Sequence, residues 1–381
     1  MINIFLFLAM VFVFTFIVGK FLEKINVPWI FGALILGFAL AIKNPFTAIT
    51  SSQTFEFLAQ LGMYFLLFVI GFEIDLNEFK RTSKFILKST FFIIFLEALI
   101  GGIFLRFLFG YSWFISFVVS ISFATVGEAV LIPILDKFKM VNTKLGQSII
   151  GVGTFDDIVE VFILILITST IASGMHSYIH VCMIFSSLLL LFILAFGLTK
   201  LKKEGAKFGF LNIETLFLFV IFIMLLFLGI GEYAHSTAIA ALLAGIALKT
   251  FIPNKRLKLI ESEVKTMCYG FFAPIFFLWV GTTMVIGYLD PLLIGIVVLV
   301  SGGAKLLGSY LTGKKELGTK NSLILGIGLS ARFSTSIIIL KILLDNGIIG
   351  SDLYSVIIAS SMVFVFVIPL LFSNIVAKAR G

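Results

Sequence analysis

The stretch GVGTFDDIVEVFILILI (151–167) is almost wholly apolar, yet it carries two adjacent aspartates, Asp156 and Asp157. Its apolar content suits a helix that crosses a bilayer, which takes about 20 such residues. A charge at the bilayer centre costs at least about 2.5–3.5 kcal/mol on insertion scales, so acids placed there are functional candidates by default. Adjacent residues point about 100° apart on a helix. One aspartate can therefore face a water-filled cavity while the other faces a neighbouring helix. Two partly desolvated carboxylates this close do not both ionise easily. Such a group can hold a proton or a small cation, but not both at once. Glu160 follows Asp156 by four residues and Asp157 by three, so it can share a face with either.

The surrounding chain has the same character. Of 381 residues, 60% are hydrophobic and 13% charged, with mean hydropathy +1.18. A soluble protein has about 25% charged residues, and a water-facing surface cannot be built from so few charges. This excludes a soluble enzyme, a nucleic-acid binder and a disordered scaffold. Thirteen spans are expected, at 2–19, 28–42, 57–72, 85–109, 113–135, 144–170, 177–198, 211–230, 235–250, 268–288, 290–312, 322–343 and 352–376. The first has no basic leader and no small-residue cleavage site, so it reads as an uncleaved span. The expected fold is an all-α polytopic membrane protein. Cys182 and Cys268 lie in apolar stretches and suggest neither a disulfide framework nor a metal pattern. His176, His180 and His235 form no ligand set with nearby carboxylates.

The net charge of +8 belongs to the loops. With thirteen spans, 23 of the 28 Lys and Arg residues fall on one side of the membrane, after the odd-numbered spans. The opposite side has Lys43, Arg106 and Lys341. The positive-inside rule then places the C-terminus in the cytoplasm and the N-terminus outside. Two basic residues remain, Lys305 in SGGAKLLGSY and Arg332 in LSARFSTS, and both sit inside spans. A weak repeat is also visible. Gly71 of span three and Gly281 of span ten are 210 positions apart, and breaks near Gly127 of span five and Arg332 of span twelve are 205 apart. Two six-span halves joined by span seven would be inverted in topology, a recurring build of secondary transporters with broken helices at the midplane.

Lys305 is the natural counter-charge to the aspartates. Ser301, Gly302 and Gly303 beside it let another helix approach closely. In span five, Thr125, Gly127, Glu128 and Pro133 loosen the helix and can free backbone carbonyls near a cation. Glu128 could ligate an ion, relay protons or pair with Arg332; the pairing is favoured, since Arg332 would otherwise be an unpaired permanent charge. Glu97 in span four is a relay or structural acid without a named partner. Glu214 and Glu232 lie near span ends and read as solvated. Trp29 and Trp113 sit where interfacial anchors belong.

VPWIFGALILGFALA, YFLLFVIGFEIDL, GQSIIGVGTFDDIVEVFILIL, HSTAIAALLAGIALK, APIFFLWVGTTM and SGGAKLLG together resemble the bacterial cation/proton antiporter family. The resemblance is closest to the NapA type, within the wider fold that includes NhaA, and it covers nearly the whole chain. It implies that Asp157 binds the transported cation and that Asp156 pairs with Lys305. It implies a homodimer, with a moving core at 85–170 and 289–378, a dimer scaffold at 1–84 and 208–288, and a linker helix at 177–198. It also implies electrogenic exchange, with no resident cofactor. Two departures stand out. Val126, Gly127 and Glu128 occupy the place of the family's hydroxyl cluster in span five, with Thr125 nearby. Arg332 is followed by Phe333 and Ser334 where Arg-Gly-Glu is common.

The expected activity is exchange of cytoplasmic Na+ or Li+ for external H+ by alternating access in the cytoplasmic membrane, a role in pH homeostasis. Potassium/proton exchange is the main alternative. An ion channel lacks a filter-like repeat, and the paired aspartates with Lys305 argue against a sodium-coupled organic-anion symporter.

Overall fold

The computed structural model describes residues 3–74, 84–127, 131, 134–135, 138–153, 155–156, 159, 178–200, 212–233, 236–332 and 334–380. Among these, all regular structure is helical: α1 (Ile4–Lys24), α2 (Phe31–Ile42), α3 (Gln53–Glu73), α4 (Lys84–Phe109), α5 (Trp113–Ala124), α6 (Tyr178–Lys200), α7 (Ile213–Tyr233), α8 (Thr237–Phe251), α9 (Asn254–Met267), α10 (Ala273–Thr282), α11 (Pro291–Leu329), α12 (Ser334–Asp345) and α13 (Ser351–Arg380). Span six is helical over 144–153, after which the description is interrupted. Helices dominate because a spanning segment must satisfy its backbone hydrogen bonds internally. Several starts are written in the sequence. Ser52 Oγ accepts from Phe55 N and Ser112 Oγ from Ile115 N, each at 3.3 Å. Asp290 Oδ1 accepts from Leu292 N at 2.8 Å, with Pro291 in the first turn.

Among the described residues seven helical runs are long and apolar enough to cross a membrane, in α1, α3, α4, α7, α11, α13 and the run Arg256–Thr282 that joins α9 to α10, and α2, α5 and α8 are shorter apolar helices. Phe5, Phe16, Phe91, Phe95 and Phe107 point outward from their helices, as lipid-facing side chains do. Spans eleven and twelve, numbered together as α11, are two helices that meet at a kink at Gly318, where φ is +80°. Glycine alone takes that conformation without steric cost. Helix α9 was expected as loop, because NKRLKLIESEVKTM is strongly charged. Ile260, Val264 and Cys268 nevertheless recur at four-residue spacing and are fully buried, so α9 is amphipathic. A π-helical turn, Cys268–Phe272, links it to α10.

The chain forms two compact units. The first comprises 1–11, 46–74 and 164–279. Within it α3 packs on α8 so closely that a Cβ on Gly71 would stand 2.1 Å from the Leu242 carbonyl oxygen. The second comprises 12–45, 75–163 and 280–381. Within it Gly281 lies on α2, and a Cβ there would stand 2.6 Å from Phe38 N. Gly71 of span three thus meets span nine, and Gly281 of span ten meets span two. A shift of seven spans turns the first pairing into the second, as two structurally repeated halves require.

Candidate functional site

In the second unit, two helices break. Helix α5 stops at Ala124, and Thr125 turns extended (φ −59°, ψ 149°). Helix α11 stops at Leu329, and the chain resumes as α12 at Ser334. Each break leaves backbone groups without an intrahelical partner, which costs several kcal/mol per group in hydrocarbon. The two breaks satisfy each other. Gly127 N donates to Ala331 O at 2.8 Å. Arg332 Nη1 donates to Thr125 O at 2.7 Å, at the C-terminal end of α5. Lys305 Nζ donates to Leu329 O at 2.6 Å, at the C-terminal end of α11. The negative end of each half-helix therefore meets a buried cation, the favourable sense of the helix dipole. Between them, Val126 N donates to Asp156 Oδ2.

Arg332 is fully buried. Its guanidinium lies over the Phe123 ring at 4.6 Å and the Phe364 ring at 5.1 Å, a cation–π arrangement. Nη2 donates to Glu97 Oε1 at 2.7 Å and to Ser301 Oγ at 2.6 Å. Ser301 Oγ in turn donates to Glu97 Oε1. Glu97, on α4, is 2% exposed. Ser120 Oγ of α5 donates to its backbone carbonyl at 3.0 Å. Glu97 Oε2 stands 3.7 Å from Lys305 Nζ, an ion pair without a hydrogen bond. The charges buried at this crossing, among the described residues, are thus two carboxylates, Glu97 and Asp156, and two cations, Lys305 and Arg332; Lys341, also buried, pairs with Asp345 on its own helix. Buried charges survive when they are paired and hydrogen-bonded.

Of the residues singled out in the sequence, Thr125, Gly127, Asp156, Lys305 and Arg332 come together here. Thr125 contributes its carbonyl, while its hydroxyl donates to Ser122 O at 3.3 Å. Asp157, Glu160 and Glu128 lie outside the described residues, and so does the expected Glu128–Arg332 pair. The described acid on Arg332 is Glu97. The resemblance assigns Lys305 to Asp156; among the described residues the ion pair of Lys305 within 4 Å is to Glu97. The reason lies in helical spacing. Ser301 and Lys305 are one turn apart on α11, and both reach the Glu97 carboxylate. The sequence offered Glu97 as an isolated acid in an apolar span and gave no partner for it. Ser301 was noted for its small size, and its hydroxyl carries the contact. Glu214 and Glu232, read as solvated, are exposed.

Comparison with known proteins fits this geometry. Residues 9–378 match the family model described as "Sodium/hydrogen exchanger, transmembrane". A Methanocaldococcus jannaschii protein described as "Probable Na(+)/H(+) antiporter 3" is 27% identical over 377 residues, covering 96% of this chain and 95% of that protein. A Bacillus subtilis "K(+)/H(+) antiporter subunit" is 26% identical over 317 residues, covering 79% and 75%. The solved sodium proton antiporter MjNhaP1 of M. jannaschii superposes with TM-score 0.64 at 19% identity, covering 98% of both chains, and so shares the fold. The chain is a multi-pass membrane protein that belongs to the sodium/hydrogen exchanger transmembrane family.

Proposed function

We propose that this chain is a secondary antiporter that exchanges cytoplasmic Na+ or Li+ for external H+ by alternating access. The observation that carries the reading is the crossing of the two helix breaks, with Asp156 on the backbone of one break and buried cations on the ends of both half-helices. Asp157, next in sequence, is the proposed cation and proton site. A carboxylate serving both ligands binds them in competition, which couples their opposite flows. Asp156 sets the local charge from beside it, Lys305 is the counter-charge, and Glu160 is assigned to the same helix face by its spacing. No resident cofactor is required, since the cation is the cargo.

The division into a moving core at 85–170 and 289–378, a scaffold at 1–84 and 208–288 and a linker at 177–198 is part of the proposal. It is supported by Glu97, Asp156, Lys305 and Arg332, the charges at the crossing, all falling within the core ranges. A homodimer formed through the scaffold, and a cytoplasmic-membrane location with the N-terminus outside, complete it. The lysine-rich loops support the orientation.

Everted vesicles carrying the protein should show cation-induced dequenching of a pH dye, and Asp157→Asn should abolish it. Exchange at the wild-type rate in that variant would sink the assignment. Potassium exchange is the second reading, favoured by the similarity to the B. subtilis K+/H+ antiporter subunit. Currents on a solid-supported membrane with Na+, Li+ and K+ at several pH values separate the two.

A further inference from the structure

Glu97 is a buried acid that the aspartate-centred reading leaves unused. It sits between the two cations that close the half-helix ends. Oε1 takes both the guanidinium of Arg332, at 2.7 Å, and the Ser301 hydroxyl, while Oε2 faces Lys305 at 3.7 Å. The carboxylate is 2% exposed and its backbone is fastened to α5 through Ser120. Asp156 is bonded by Val126 N, the backbone group next to the Thr125 carbonyl that Arg332 holds.

Two fixed cations beside an aspartate site raise a physical problem. A resident guanidinium or ammonium that reaches the aspartates competes with the transported cation for the same carboxylates. Opposite charges attract strongly where the effective dielectric is low. Something must hold the resident cations off. We propose that Glu97 is a positioning residue that occupies Arg332 and Lys305 so that they cap the broken helices without competing for the aspartate site. Arg332 is held by a direct, doubly supported hydrogen bond, and Lys305 by a looser contact. The guanidinium, which never loses its charge, is therefore the competitor that most needs an acid of its own. The inference rests on the exchange reading above, in that the aspartates are taken as the cation site.

The test is a sodium titration of wild-type, Glu97→Gln, Glu97→Gln/Arg332→Gln and Ser301→Ala proteins. It is read twice, as exchange in proteoliposomes and as sodium-dependent stabilisation in detergent. In Glu97→Gln the half-saturating sodium concentration should rise about tenfold, equivalent to about 1.4 kcal/mol, while the maximal rate per folded protein changes far less. Removing the freed guanidinium as well should bring the half-saturating concentration back toward wild type. A purely structural Glu97 would instead lower the folded yield at unchanged half-saturation, and the double variant would be worse than the single; that pattern overturns the proposal. If Glu97→Gln does not fold, Ser301→Ala decides. It removes the hydroxyl that donates to Glu97 and accepts from Arg332 and keeps every charge, so half-saturation should rise roughly twofold, equivalent to about 0.4 kcal/mol. No rise overturns the proposal. If wild type stabilises with sodium but exchanges nothing, the antiport reading falls, and the stabilisation midpoints still judge Glu97.

Discussion

Arg332 donates to the carbonyl of Thr125 at 2.7 Å, tying together two helix breaks that lie 207 residues apart in the chain. The same guanidinium reaches Glu97 at 2.7 Å and is enclosed by Phe123 and Phe364. One planar fork thus bonds a backbone end and a carboxylate at once, a geometry an ammonium does not reproduce. Arg332→Gln should therefore destabilise the protein strongly, because it takes the guanidinium from both Thr125 O and a buried carboxylate that keeps only Ser301 and the longer contact to Lys305. Breaking a buried pair from one side costs about 3–5 kcal/mol. Arg332→Lys should recover only part of that. Thermal unfolding in detergent checks both, and an unchanged melting temperature in Arg332→Gln would show that the crossing is held by other contacts.

The repeat gives a second prediction. A methyl group at Gly71 meets the Leu242 carbonyl at 2.1 Å, and one at Gly281 meets Phe38 N at 2.6 Å. Both obstacles are backbone, so neither can swing aside. Gly71→Ala and Gly281→Ala should each cost about 1–3 kcal/mol through overpacking. Gly303→Ala, with nothing within 4 Å of the added carbon, should be neutral or slightly stabilising, since alanine favours helix over glycine. Comparable losses at all three sites, measured by thermal melting, would mean that close approach is not what fixes Gly71 and Gly281.

These pairs also show what could be read from the residues alone. Span positions followed from hydropathy, because apolar length is set by the bilayer. The repeat was legible as the 210-residue spacing of Gly71 and Gly281, since close helix approach demands a small residue wherever it occurs. The partner of Arg332 was not legible. Any acid on any neighbouring helix could serve, and sequence distance carries no information about a contact 235 residues away. Helix α9 was missed for a different reason: its buried positions, Ile260 and Val264, are outvoted by the charges around them in any hydropathy average.

The loop ends behave differently from the buried set. Lys144 bonds the carboxylate of Glu316 at 2.8 Å, beside the bend at Gly318. The hydrogen bond and charge of Lys144 hold Glu316 below the usual carboxylate range. A depressed carboxylate contributes stability above its unfolded value and loses that contribution as pH falls through its folded value. Any effect of this pair therefore disappears only under strongly acidic conditions. Both side chains are more than half exposed, and exposed pairs contribute little. Glu316→Gln should leave melting and exchange unchanged between pH 6 and pH 9 (about the range of a transport assay). A clear loss of exchange across that range would assign the pair a role in gating.

Lys305 donates to Leu329 O at 2.6 Å and faces Glu97 only at 3.7 Å. It is the less firmly held of the two cations at the crossing, and unlike arginine a lysine gives up its proton when its surroundings change. If a cation entering the aspartate site expels that proton, each turnover moves more protons than cations, and the exchange carries net charge. Lys305→Gln keeps an N–H donor for the Leu329 carbonyl but has no proton to release. Exchange in that variant should persist at a reduced rate, with the charge moved per proton-coupled turnover falling toward zero. Parallel dye dequenching and solid-supported-membrane currents measure the two quantities on the same preparation. Undiminished current per turnover in Lys305→Gln would mean that the net charge is carried by the span-six acids, and that Lys305 acts in this protein as the cap of a helix end.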